Sequence, residues 1–393
     1  MTIAAKIEQS IEKSSWIRKM FEQGARLKAE HGADAVFDFS LGNPNLPPPE
    51  SFQKALETVA AQKDSFVHGY MPNTGFPFVR EAIAGSIKKL HDIDVTMNDI
   101  IVTCGAAGGL NVILKSLLNP GEEVLVPRPF FVEYTFYAEN HGGILKTVQT
   151  RQDFDLDLNA MESAITPSTR VVLINSPNNP TGRVYSAQTL GALGDLLKRK
   201  SVQYGSVIYL VSDEPYRKIV FDGVEVPSVF EFYNDTIVVT SHSKDLSLPG
   251  ERIGYIAINP NAKYRDKLGQ AMALANRILG FVNAPALMQR ILPLIQGASV
   301  EVAAYERKRD LFCEGLAAAG YSFTRPSGAF YLFPKSPIED DVEFVHALQE
   351  ELILAVPGSG FGGPGYFRLA FCVTDETISL AIPGFQRVIK RFS

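Results

Sequence analysis

Four residues near the middle of the chain, Ser241-His242-Ser243-Lys244, could do covalent chemistry together with Gly250-Glu251-Arg252-Ile253-Gly254 close behind them. A lysine amine forms a Schiff base with a carbonyl. Hydroxyls and an arginine fork hold a phosphate dianion, and the fork suits phosphate better than an ammonium does. A carbonyl and a phosphate on one small molecule describe pyridoxal 5'-phosphate (PLP). Taken alone, the tetrapeptide reads better as a solvated lysine in a serine-rich loop. The rest of the chain reverses that.

Other strand ends carry polar residues of the same kind. The apolar run Val207-Ile208-Tyr209-Leu210-Val211 ends in Ser212-Asp213-Glu214-Pro215-Tyr216. A carboxylate there is costly unless paired, and it falls on the ligand-binding edge of an α/β sheet; an internal salt bridge is the alternative. Arg170-Val171-Val172-Leu173-Ile174 runs into Asn175-Ser176-Pro177-Asn178-Asn179-Pro180-Thr181-Gly182, a loop fixed by two X-Pro steps. Ile100-Ile101-Val102-Thr103 runs into Cys104-Gly105-Ala106-Ala107-Gly108-Gly109 and then a helix, where small residues let backbone amides approach an anion. Glu123-Val124-Leu125-Val126 leads to Phe130 and Phe131; an aromatic here either stacks on a flat ring or packs in the core.

These elements alternate strand and helix from about residue 51 to 284, which predicts a mostly parallel sheet covered by helices on both faces. The helix Ser51–Ala61 and an amphipathic helix with Val79, Ile83, Ile87 and Leu90 on one face precede the first strand. Asn283-Ala284-Pro285 breaks the alternation. A helix over Ala303–Ala319 then leads to hairpin-like strands around Tyr321-Ser322-Phe323 and Phe330-Tyr331-Leu332-Phe333. The expected division is therefore a large domain over 51–284 and a smaller α+β domain built from 1–50 and 285–393. An N-terminal helix (Ile7, Ile11, Trp16, Ile17, Met20, Phe21) and the stiff passage Phe37 to Pro49 belong to the smaller part. Gly358-Ser359-Gly360-Phe361-Gly362-Gly363 matches a dinucleotide fingerprint, but Pro364-Gly365 and an alternating run through Arg368 follow it instead of a helix, so a nicotinamide site is not expected.

The totals narrow the function classes. A chain of 393 residues exceeds one small core, which sets the expectation of two domains. With 46% apolar and 21% charged residues the composition is that of an ordinary globular protein. The net charge of −5 and the lack of a long basic run argue against nucleic acid and anionic membranes as partners. Three scattered cysteines, Cys104, Cys313 and Cys372, form no CxxC pair, so neither a metal site nor a disulfide framework is expected and reduced, cytoplasmic thiols are. No secretory signal and no run of bilayer-spanning length is read.

In this order the motifs resemble the class I/II PLP-dependent aminotransferases of fold type I over nearly the whole chain. The matching residues are Tyr70 with Gly75, Gly105-Ala106-Ala107, Asn178 to Gly182, Asp213-Glu214-Pro215-Tyr216, Ser241-x-Ser243-Lys244 with Gly250-x-Arg252-x-Gly254, and Arg368. The resemblance implies a seven-stranded large-domain sheet, a PLP cofactor joined to Lys244, and Lys244 as the base at the substrate Cα. It implies that Asp213 pairs with the ring nitrogen, that Tyr216 and Asn179 hold the ring oxygen, and that Phe131 stacks on the ring. Ala106, Ala107, Ser241, Ser243 and Arg252 would bind the phosphate, and Tyr70 would reach the phosphate of a neighbouring subunit, which implies a homodimer. Arg368 would clamp the substrate carboxylate, with Asn179 and Gly42 beside it. The implied activity is ping-pong transamination between an L-amino acid and a 2-oxo acid. On the same fold a C–S lyase or an aminocyclopropane-carboxylate-synthase-like enzyme is the alternative, and a PLP-binding regulatory module without turnover is a further one. Some aspartate-using relatives carry Lys at the position of Ala107, so its absence counts against a dicarboxylic substrate by that route. Phe130, Phe131, Phe136 and Tyr137 make an aromatic or apolar substrate plausible, or else serve the core.

Overall fold

The computed structural model describes residues 3–12, 16–64 and 66–392. Its strands are β1 (Phe37–Asp38), β2 (Ile100–Thr103), β3 (Glu123–Arg128), β4 (Ile144–Gln149), β5 (Thr169–Asn175), β6 (Tyr209–Asp213), β7 (Thr236–Ser241), β8 (Gly254–Ile258), β9 (Tyr331–Leu332), β10 (Ile353–Leu354), β11 (Val356–Pro357) and β12 (Phe367–Ala370). Seven of them form one sheet in the order β2-β8-β7-β6-β5-β3-β4. Only β8 runs against its neighbours; the other pairs are parallel. The carboxyl ends of β2, β3, β5, β6 and β7 therefore share one edge.

The central strands carry continuous apolar runs, Val171–Ile174 in β5 and Ile237–Val239 in β7, because both faces are covered. Alternate residues supply two cores, as a period of two requires. Val172 and Ile174 of β5 join Ile83, Leu190 and Leu197 on one side, while Val171 and Leu173 join Leu110, Ile113 and Leu114 on the other. Edge strand β4 carries Ile144, Leu145 and Val148 interrupted by Lys146 and Thr147, and only Val148 is buried. A third core gathers Phe39, Phe312, Phe344 and Phe385 around the antiparallel set β11-β12-β9 and the helices Val302–Ala319 and Asp375–Ile389. The passage after β1 is tied to this region: β1 pairs with β10, and Ala370 N donates to Phe39 O at 2.8 Å.

Some expectations need correction. The change of core does not fall at Ala284: Met288, Ile291, Leu292 and Ile295 pack with the large sheet, and the third core takes over at Val300. The helix Ala286–Ile291 does this by lying against the helix Glu50–Ala60. Leu90 is 65% exposed and does not share the buried face of Val79, Ile83 and Ile87. Tyr321 to Phe323 is not a strand, and its one ladder-like contact is Lys335 N to Ser322 O at 2.8 Å. The N-terminal stretch is two helices, Ala5–Glu12 and Trp16–His31. Ile7 and Ile11 are exposed, Met20 is buried, and the side chains of Trp16, Ile17 and Phe21 lie outside the described residues. Among the described residues no helix is long and apolar enough to cross a membrane.

Gly254 is where β8 slots between β2 and β7. A Cβ there would lie 2.3 Å from Thr240 O, 3.0 Å from Ser241 Cα and 3.1 Å from the Gly105 carbonyl carbon. These are backbone atoms that cannot swing aside. Gly254→Ala is expected to destabilise the fold by about 1–3 kcal/mol, as overpacking does, read as a lower urea midpoint. An unchanged midpoint would show that β8 can shift freely.

Candidate active site

The shared strand edge opens into a cavity of about 280 Å³. Each strand end delivers its residue there because the chain must turn as the strand stops. Asp213 ends β6, Ser241 ends β7, Asn175 ends β5, and the helix Gly105–Leu117 starts just after β2. Lining residues include Gly42, Ala106, Ala107, Phe131, Asn179, Asp213, Tyr216, Ser241, Ser243, Lys244, Arg252 and Arg368. Of the residues given a role by the resemblance, all but Tyr70 line this cavity, whereas the motif residues Gly75, Gly105, Asn178, Gly182, Glu214, Gly250 and Gly254 do not. The Tyr70 side chain is 93% exposed on a loop outside it.

Asp213 is buried. Tyr134 donates to its Oδ2 at 2.6 Å, while Oδ1 has no partner. Burial pushes its carboxyl up to about 7; the Tyr134 bond opposes this and the neighbouring Glu214 charge adds to it. Asn175 fixes the strand end twice: its Nδ2 donates to the Asp213 carbonyl at 2.7 Å, and its Oδ1 accepts from Asn179 N at 2.7 Å. Asn178 instead holds its own turn, accepting from Thr181 N and Oγ1 at 3.1 and 2.9 Å.

Lys244 Nζ donates to the Gly42 carbonyl at 2.6 Å. Burial pushes the amine down to about 8; Cys372 opposes this, and the charges of Arg368 and Arg252 add to it. A depressed amine of this kind is a better base and nucleophile near neutrality than a free lysine.

Arg368 is fully enclosed on β12. Its Nη1 donates to Asn179 Oδ1 at 3.1 Å and its Nη2 to Ser40 O at 2.6 Å, and its Nε has no partner. The guanidinium packs 4.7 Å from the Tyr331 ring and 4.6 Å from the Phe361 ring. The Tyr216 and Tyr331 hydroxyls are 2.8 Å apart. Arg252 adopts a left-handed backbone, φ 50°, and its Nη1 donates to Pro249 O at 2.8 Å. This sets the guanidinium against the amino end of the helix Gly105–Leu117, where a Cβ on Gly105 would lie 2.9 Å from Arg252 Nη2. No side chain caps that helix. Its first-turn amides, the Ser241 and Ser243 hydroxyls and Arg252 form a donor set that suits a phosphate.

Tyr134, Tyr331 and Asn175 escaped the sequence reading. Tyr134 lies one helical step from Phe131 and so shares its face, a signal that was available. Asn175 sits inside the fixed loop already noted. Tyr331 lies in a two-residue strand whose partner, β12, is remote in sequence, and nothing local marks it. Among the described residues no group of His, Cys, Asp or Glu could hold a metal ion.

A cavity with an acidic oxygen left open, an amine made less basic by burial and two arginines on its walls belongs to an enzyme of group transfer on small anionic molecules. Comparison with known proteins narrows this. The model of the family "Aminotransferase class I and II" matches residues 34–383. The aspartate/prephenate aminotransferase of Thermus thermophilus is 34% identical over 369 residues, 92% of each chain. The solved structure of an amino transferase from Eubacterium rectale superposes with a TM-score of 0.97 at 38% identity, over all of both chains. The aspartate aminotransferase of Thermus thermophilus with maleate gives 0.88 at 30% identity, over 99% of this chain and all of that one. The chain belongs to the class I and II aminotransferases. It is a transaminase, and these matches do not favour the lyase alternative.

The two shifted groups leave opposite marks on stability. In the folded ligand-free protein Asp213 keeps its proton to about pH 7, whereas unfolded it ionises near 3.8. Folding binds a proton in that window, so the group's contribution falls as pH rises from about 4 to about 7. Lys244 loses its proton near 8 when folded and near 10.5 when unfolded. There the unfolded chain binds the proton, and stability rises with pH. Urea midpoints against pH for the ligand-free protein should lose the first slope in Asp213→Asn and the second in Lys244→Met. Parallel profiles for wild type and variants would contradict the assigned shifts.

Proposed function

We propose that the cavity holds PLP and that this chain uses it to move an amino group between an L-amino acid and a 2-oxo acid in a ping-pong cycle. The observation that carries this is Asp213 Oδ1, buried and without a partner in the cavity that also holds the depressed amine of Lys244. A buried oxygen left open needs a partner, and a protonated ring nitrogen supplies one. Bound PLP supplies an electron sink for charge left at the substrate Cα.

The chain's own residues do the rest. The first-turn amides of Ala106 and Ala107, with Ser241, Ser243 and Arg252, hold the phosphate. Phe131 would face the ring, Tyr216 and Asn179 would donate to its oxygen, and Asp213, its carboxyl fixed by Tyr134, would hold a proton at the ring nitrogen. Lys244 would hold the cofactor through its amine, and the same amine, unprotonated, would move the proton at the substrate Cα. Arg368 pairs with the substrate carboxylate through donors aimed by Asn179 and Ser40, close to Gly42.

Two further parts of the reading go with it. Tyr70, exposed in the single chain, reaches the phosphate site of a second copy in a homodimer. The division into a PLP-binding domain and a smaller domain from both termini sets the cavity at their junction. The cations on the cavity wall, Lys244, Arg252 and Arg368, all have roles, and the other walls include Leu110, Phe131, Tyr137 and Pro249. This supports amino acids with uncharged side chains over dicarboxylic ones.

Lys244→Ala should lower turnover by at least ~10²–10⁴-fold, the worth of a positioned base, with loss of the visible absorbance of the PLP-loaded protein. Arg368→Leu should cost about 2–5 kcal/mol in kcat/KM, the cost of breaking a buried charge pair. A panel of amino acids mixed with loaded protein, with and without a 2-oxo acid, checks the reaction. Near wild-type turnover in Lys244→Ala, or pyruvate and ammonia without an acceptor, would overturn the assignment.

A further inference from the structure

Tyr331 sits at the start of β9, held in register by Ala370 of β12. Its side chain is buried and meets three parts of the site. Its hydroxyl is 2.8 Å from that of Tyr216. Its ring lies 4.7 Å from the Arg368 guanidinium. Its oxygen occupies the space beside Gly42, where a Cβ would lie 2.0 Å from it, and the Gly42 carbonyl is the one that accepts from Lys244.

Two hydroxyls in contact share one hydrogen bond, so one donates and the other accepts. If Tyr216 donated, its proton would be spent on Tyr331, and a negative oxygen in the cavity would meet only its lone pairs. If Tyr331 donates, the Tyr216 proton is free to face the cavity. A donor that itself accepts a hydrogen bond is polarised and donates more strongly. Burial raises Tyr331 to about 12 and Tyr216 well above the ordinary tyrosine value, so both protons stay in place across the working range.

We propose that Tyr331 is a positioning residue: its hydroxyl donates to Tyr216 and turns the Tyr216 proton into the cavity, while its ring sets the plane of Arg368. This rests on the reading that Tyr216 donates to the PLP ring oxygen and Arg368 pairs with the substrate carboxylate. One side chain then couples the cofactor side of the site to the substrate side.

The two functions separate by substitution. Tyr331→Phe keeps the ring and removes the donor; Tyr331→Leu removes both. The visible absorbance of PLP-loaded protein is followed against pH, and kcat and KM are measured for a reactive amino acid. A weaker Tyr216 donor leaves more negative charge on the ring oxygen, which holds the neighbouring proton more tightly. The absorbance midpoint of Tyr331→Phe should therefore rise by roughly 0.2–0.6 pH units, and that of Tyr216→Phe by more. KM should rise by at most about twofold in Tyr331→Phe and by roughly 2–30-fold in Tyr331→Leu, the range of a cation–π contact. A coloured wild type with an unshifted midpoint in Tyr331→Phe overturns the relay alone, even if both variants have lower urea midpoints. Equal KM changes in the two variants overturn the role of the ring. A wild type left colourless by PLP overturns the cofactor reading and the relay with it.

Discussion

Burying Asp213 and Lys244 around one small cavity is the constraint that the site depends on. Neither group has the other as a partner. Tyr134 satisfies one oxygen of Asp213, and the Gly42 carbonyl accepts from Lys244. In a medium of low dielectric, charge is expensive unless compensated. The fold answers by drawing both groups toward neutrality, the carboxyl upward and the amine downward. The same burial that costs stability leaves the Lys244 amine easier to deprotonate than a free lysine. The cost is carried by the three apolar cores, whose alternating residues cover the sheet and its neighbours.

Convergence comes from the direction of strands. Four parallel strand ends and the turn after β2 bring residues far apart in sequence to one edge, and backbone groups do much of the aiming. Ser40 O and Asn179 Oδ1 set Arg368, Pro249 O sets Arg252, and the Gly42 carbonyl sets Lys244. Gly42 and Arg368 arrive from the region where β1 and β12 lie near the third core. The cavity is thus closed by elements that the large sheet does not contain.

Much of this was legible in the sequence where one local signal sufficed. Apolar runs ending in Asp213, Asn175 or Ser241 mark strand ends, and a strand end in a parallel sheet is where ligands sit. Arg368 stood out as a charge on an otherwise apolar alternating strand. What escaped depended on long-range pairing or on averaging. Edge strand β4 breaks its apolar residues with Lys146 and Thr147 and leaves most of them partly exposed, because one edge of it has no neighbouring strand. The Tyr321 to Phe323 stretch looks like a strand because its composition is apolar, but almost no partner ladder meets it. The helix Ala286–Ile291 follows a Pro break yet returns to the large sheet, since packing rather than sequence punctuation assigns it to a core. Tyr331 was invisible because its contacts, Tyr216, Gly42 and Arg368, come from three separate segments.

The place of β8 has a consequence for synthesis. β2 leaves the ribosome before any other strand of the large sheet, yet its sole neighbour in that sheet is β8, the last of the seven to be made. Through most of translation β2 and the turn behind it have no strand of that sheet to join. The strand ends at Thr103 and Ser241 are joined only when Gly254 pairs with both of them. Completion of this edge of the cavity is therefore a late event that waits for the finished sheet.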